Sequence, residues 1–161
     1  MLFRSEKQPG EKASEDEKEA LAKRQANTAI ALYLMGDHEK VCPVLKFSPD
    51  PRVRSYIIHW LAPLGGDPEI IIGRLDGELD VSIRRALLLT LGEFTETQLP
   101  QVQRPPVIEK LLSVYENEPD AGLHGATEWL LRKWGQGDRL GALVDRLKTN
   151  EEVLQDRKSV V

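Results

Sequence analysis

The stretch SPDPRVRSYIIHWLAPLG, residues 48–65, decides how the rest of the chain is read. It brings Ser48, Asp50, Ser55 and His59 into a short window, the side-chain types of a hydrolytic site. Yet Asp50-Pro51 is also a helix start: Asp caps free N–H groups, and proline at the first helical position gives up no hydrogen bond. The two readings separate once the stretch is laid against the remainder of the sequence.

It has relatives. DPRVRSYIIHWLAPLG (50–65), DVSIRRALLLTLGEFT (80–95) and DAGLHGATEWLLRKWG (120–135) align without gaps. Each begins with Asp. An aliphatic residue follows (Val53, Ile83, Leu123), then a basic or imidazole side chain (Arg54, Arg84, His124). Leu61, Leu91 and Leu131 coincide, and a large apolar residue comes three later (Leu64, Phe94, Trp134). A degenerate copy lies upstream, where Arg24, Leu34 and Gly36-Asp37 match Arg54, Leu64 and Gly66-Asp67. The alignment removes the hydrolase. Ser55 becomes Arg85 and Gly125, and His59 becomes Leu89 and Trp129, so no member of a triad recurs. Partners in a triad are brought together by the fold, and i, i+4 spacing on one helix is no signature of one. No catalytic residue is expected.

Between the Asp-led segments lie shorter helical patterns: HEKVCPVLKF (38–47), PEIIIGRLDG (68–77), PPVIEKLLSVYENE (105–118) and DRLGALVDRLK (138–148). Ser14 with Glu17 forms a capping box that opens a further helix, and strand patterns are nearly absent. The expected fold is all-α. A hairpin of one short and one longer helix cannot bury its apolar face alone, so stacked hairpins must share a core, as in an α-solenoid. The domain is expected over 14–148, with a flexible tail at 1–13 and a C-terminal tail at 149–161.

These segments resemble HEAT repeats, above all the short variety found in phycobilin lyases. The family's Asp-Pro-x-Val-Arg start is complete at DPRVR (50–54), lacks Pro in DVSIR (80–84), and lacks both Pro and Arg in DAGLH (120–124). The combination is also similar to the HEAT-like segment between a serine/threonine kinase domain and a formylglycine-generating-enzyme-like domain in planctomycete-type bacterial proteins. Neither neighbour's motifs occur here. The resemblance implies a right-handed α-solenoid of about four hairpins. It also implies pairing of the Asp and Arg side chains between adjacent repeats, and a concave surface lined by the longer helices.

At roughly 100° per residue, the third, seventh, tenth and fourteenth residues after each Asp face the core. The fifth, ninth and twelfth point the other way. Candidate partner-binding residues on that side are Ser55, His59, Arg85, Leu89, Trp129 and Arg132, with Leu88 beside them. Aromatic and Arg side chains are the types enriched at interface hot spots.

Bulk properties restrict the alternatives. With 161 residues, 40% hydrophobic and 30% charged, the chain is globular in composition. A net charge of -4 disfavours nucleic acid. The single Cys42 forbids an internal disulfide, and His38, His59 and His124 lack metal-ligand spacing, so no metal and no cofactor are expected. No apolar run approaches the roughly 18 residues of a membrane span, and the N-terminus lacks a signal-peptide core, which suggests the cytoplasm. The expectation is a non-catalytic protein-interaction or interdomain scaffold module whose partner is a protein or an adjoining domain. Two alternatives come by analogy. One is a HEAT-like DNA glycosylase, which would need Trp60, Trp129 or Trp134 for base stacking and Arg52, Arg85 and Arg132 for phosphate. The other is a lyase-like or chaperone-like accessory protein.

Overall fold

The structure, a computed structural model, describes the backbone of residues 14–159 and the side chains of residues 14–149. The expected N-terminal tail, 1–13, lies outside the described residues. The chain is all-α, with no strand among the described residues. In order come α1 (Glu15–Leu34), α2 (His38–Val41), α3 (Arg52–Trp60), α4 (Pro68–Gly77), α5 (Val81–Leu91), α6 (Pro105–Asn117), α7 (Ala121–Lys133) and α8 (Gly137–Ser159). Short 3₁₀ turns cover Cys42–Leu45 and Gln101–Gln103. The chain divides into two compact units, one up to Gln98 and one from Leu99, so the expected repeat domain of 14–148 is parted within the loop 95–104. α8 continues to Ser159 through most of the expected C-terminal tail, because no Gly or Pro interrupts 142–159.

Capping explains the helix starts. The Ser14 hydroxyl accepts from the Glu17 N–H at 3.2 Å, and the Glu17 carboxylate accepts from the Ser14 N–H at 2.9 Å. Asp67 accepts from the Glu69 N–H at 2.9 Å, and Asp120 from the Leu123 N–H at 2.7 Å. Asp80 accepts from both Ser82 N–H (2.9 Å) and Ile83 N–H (3.2 Å). Asp50 is shifted by one place. Pro51 occupies the cap position of α3, and the Asp50 carboxylate accepts from the Arg52 N–H at 3.1 Å.

Three long helices end by one device. Gly36, Gly65 and Gly135 have φ of 89°, 92° and 74°, a left-handed conformation that glycine adopts without steric cost. After each, the chain turns back to a carbonyl five residues earlier: Asp37 N–H to Leu32, Gly66 N–H to Leu61 and Gln136 N–H to Leu131, at 2.9, 2.8 and 2.9 Å. α5 departs from this pattern. Thr95 stands where the other two Asp-led copies have Gly65 and Gly135, and the chain runs on into the long loop.

In the first unit α3 packs against both α1 and α5, and α4 against α5. The α1 face is built of Ala22, Ala26 and Ala29, all buried, with Ile30 and Tyr33. Small side chains let the α1 and α3 backbones approach closely. From α3 and α5 come Ile57, Leu61, Ile83, Leu87 and Leu91. In the second unit α6, α7 and α8 pack on one another around Leu111, Leu123, Leu130, Leu131 and Leu140. Leu61, Leu91 and Leu131 are 1%, 0% and 0% exposed, as the alignment requires. The fourteenth position divides: Phe94 and Trp134 are buried, whereas Leu64 is 51% exposed.

Candidate functional site

The candidate residues fall into both units. In the first, Ser55 and His59 are one turn apart on α3, and both are exposed. The His59 Nδ1 lies 3.6 Å from a carboxylate oxygen of Glu93, which follows α5. Neither Asp50 nor Ser55 is its partner, so the quartet of the opening stretch does not assemble. Arg85 and Leu89 on α5 are half-buried. Leu88 is a correction: it is 1% exposed and belongs to the core. α5 is enclosed by α3, α4 and the turn Cys42–Leu45, and a helix with neighbours on several sides buries more than a single stripe.

In the second unit Trp129 and Arg132 project from α7. Trp129 keeps 36% of its surface exposed, with the Lys133 ammonium 4.9 Å from its ring centroid. Arg132 is exposed and donates to the Glu128 carboxylate through Nε at 2.9 Å and Nη2 at 2.8 Å. His124, at the position held by Arg54 in the first copy, stacks on Tyr115 with ring centroids 3.9 Å apart. The groups that a nucleic-acid reading needs are largely engaged. Trp134 is buried beneath the Arg104 guanidinium, 5.1 Å from its ring, and Trp60 lies 4.4 Å from Tyr56. Arg52 grips Asp50 at 2.7 Å and Glu15 at 3.1 Å.

The first of the two repeat Arg side chains behaves unlike the implied ladder. Arg54 on α3 reaches the start of α5, where its Nη2 donates to the Ser82 carbonyl oxygen at 2.8 Å. Its Nε is buried and has no partner among the described residues. Burial, together with the nearby Arg85 charge, depresses the Arg54 pKa.

An open groove of about 1070 Å³ in the first unit is a feature that the sequence reading did not isolate. The face of α1 carrying Lys18 and Leu21 forms one wall, the loop from Pro43 to Pro51 another, and the first turn of α3 its end. Pro43, Pro49 and Pro51, around the exposed Phe47, were the available signal; the helical pattern assigned to 38–47 absorbed Pro43 and Phe47, and Pro51 reads in sequence only as a helix start. Among the described residues, no group of three or more His, Cys, Asp or Glu side chains is placed to hold a metal ion, and no helix is long and apolar enough to cross a membrane. Compared with protein-family models, curated proteins and solved structures, the chain matches none.

Proposed function

We propose that the chain is a non-catalytic protein-interaction or interdomain scaffold module of the cytoplasm. In this reading it is a right-handed solenoid of about four HEAT-like hairpins, and the concave face lined by its longer helices contacts a protein partner or an adjoining domain. One observation carries the proposal. The Asp-led helices bury Leu61, Leu91 and Leu131 at one shared position, while two residues earlier the side chains of His59, Leu89 and Trp129 are less buried in every copy. A repeated scaffold with a variable outward position suits recognition better than chemistry, which needs fixed groups held together. The candidate contact residues are Ser55, His59, Arg85 and Leu89 in the first unit and, taken separately, Trp129 and Arg132 in the second. The nucleic-acid alternative has less support, because Arg52 and Arg132 are already neutralised by carboxylates.

The test is affinity capture from a lysate of the source organism, with wild type beside the double variant Arg85→Glu, Trp129→Ala. Captured proteins are then purified and titrated directly. Direct binding to wild type, lost in a variant with unchanged circular dichroism, is the expected result. If neither form holds anything, a free-partner scaffold is excluded and the face is one covered within a larger protein. Salt-sensitive affinity for duplex DNA would overturn the reading in favour of the nucleic-acid alternative.

A further inference from the structure

The groove of the first unit shares no lining residue with the proposed interaction face, and its composition runs against the chain as a whole. The protein carries a net charge of -4, yet four cations line the groove, Lys18, Lys46, Arg52 and Arg54, against the two carboxylates of Glu15 and Asp50. Three of these cations have carboxylate partners. Lys18 lies 2.7 Å from Glu15, Lys46 lies 3.0 Å from Asp80, and Arg52 bridges Asp50 and Glu15. Arg54 has no carboxylate at ion-pair distance among the described residues: its Nη2 donates to a backbone carbonyl, its Nε is buried without a hydrogen-bond partner, Arg85 nearby adds a like charge, and the opposing charge of Asp80 is shared with Lys46.

A half-buried guanidinium with one nitrogen unpaired and its nearest counter-charge shared is incompletely compensated, and a carboxylate brought to it gains charge-assisted hydrogen bonds. Apolar surface adjoins it. Phe47 is 67% exposed, and Leu21, Val44, Pro43 and Pro49 line the same groove. The loop that presents Phe47 is fixed to the start of α5, since the Phe47 N–H donates to the Ser82 hydroxyl at 2.9 Å. An aromatic side chain held out by an anchored, proline-rich loop has lost little freedom still to be surrendered on binding. At about 1070 Å³, the open groove lies at the top of the range of about 300–1,000 Å³ typical of small-molecule sites.

We infer that this groove binds an extended acidic peptide of a partner protein, with a carboxylate on Arg54 and a neighbouring apolar side chain against Phe47 and Val44. Charge selects this occupant. Residues 1–13 of the chain itself contain Arg4, Lys7 and Lys12 against Glu6 and Glu11, the wrong sign for a groove rich in cations.

The experiment uses two pools of fluorescein-labelled octapeptides at 50 mM salt. Both pools have Leu or Phe at alternate positions; the remaining positions are Asp or Glu in one pool and Lys in the other. The acidic pool should bind the full-length protein and shift backbone amide resonances within 43–54, while the Lys pool should not. Arg54→Gln should weaken binding by about tenfold or more, the loss expected for one charged hydrogen-bonded contact. Phe47→Ser, which changes an exposed side chain and leaves the core intact, should also weaken it and keeps the test decisive if Arg54→Gln fails to fold. Equal binding of the two pools, shifts confined to other residues, or unchanged affinity in Phe47→Ser would overturn the inference. So would displacement of the peptide by equimolar duplex DNA, which would assign the groove to nucleic acid. Groove resonances that move on Leu2→Ser, Phe3→Ser without added peptide would also overturn it, by identifying the chain's own N-terminal segment as the occupant.

Discussion

Arg54 on α3 donates from Nη2 to the carbonyl oxygen of Ser82 on α5, at 2.8 Å, and in doing so passes over the carboxylate that its sequence pattern would assign to it. That carboxylate, Asp80, is already occupied. It accepts from the Ser82 N–H and hydroxyl and the Ile83 N–H, and Lys46 approaches it to 3.0 Å. The link between successive long helices therefore runs from a side chain to the backbone. The Asp serves its own helix, and the Arg holds the first turn of the next one.

Asp80 should govern part of the acid sensitivity of the first unit. Its hydrogen bond from Ser82, and then its contact with Lys46, hold its folded pKa well below the unfolded value of about 3.9. A group with a depressed folded pKa contributes stability that is present above the unfolded value and is lost as pH falls below about 4 toward the folded one. Glu78 is also lowered, chiefly by the Asp80 N–H, and adds to the same slope. Urea midpoints measured from pH 7 to pH 3 should fall less steeply in Asp80→Asn than in wild type. Parallel curves would show that Asp80 gains nothing from these partners.

Leu91 is fully buried in the repeat-equivalent position of α5. Leu91→Ala should destabilise the first unit by about 2–5 kcal/mol, as core leucine truncations do. Urea denaturation followed by circular dichroism measures it. A loss below about 1 kcal/mol would place Leu91 at a collapsible edge and undo the register on which the outward face depends.

Two glycines that close helices should resist substitution for different reasons. At Gly135, φ of 74° makes Gly135→Ala cost about 1–2 kcal/mol through backbone strain alone. At Gly66 an added Cβ would lie 2.7 Å from the Leu61 Cγ and 2.9 Å from the Leu61 carbonyl oxygen. That carbonyl accepts the Gly66 N–H at 2.8 Å, so relief requires breaking the turn, and Gly66→Ala should cost about 1–3 kcal/mol. Thermal melts of the two variants should both shift downward.

The helices were legible because their signals are local. Asp67-Pro68 starts α4, Ser14 with Glu17 starts α1, and the recurrence of Leu61, Leu91 and Leu131 locates the core. Leu88 was misplaced because its burial depends on the number of elements surrounding α5, which periodicity along one helix cannot supply. Arg54 read as a ladder residue because sequence shows its spacing from Asp80 but not the prior claims on that carboxylate. The groove was invisible for a similar reason: α1 and the loop around Phe47 are far apart in sequence and meet only through packing on α3.

The two tryptophans around the end of α7 offer the clearest separation of face from core. Trp129 is 36% exposed and accompanied by Lys133, whereas Trp134 is 9% exposed and covered by Arg104. Trp134→Ala should therefore cost about 3–5 kcal/mol, the range for truncating a buried aromatic. Trp129→Ala removes a side chain that is only about two-thirds buried, together with one exposed cation–π contact, so its cost should be distinctly smaller, about 1–2 kcal/mol. Equilibrium unfolding of each single variant measures both quantities, and acrylamide quenching in a Trp60→Phe background provides an independent check: with Trp134→Phe added the remaining signal from Trp129 should be readily quenched, and with Trp129→Phe added the signal from Trp134 should be shielded. A Trp129→Ala cost equal to that of Trp134→Ala would mean that Trp129 is packed, and the interaction face on α7 would have to be given up.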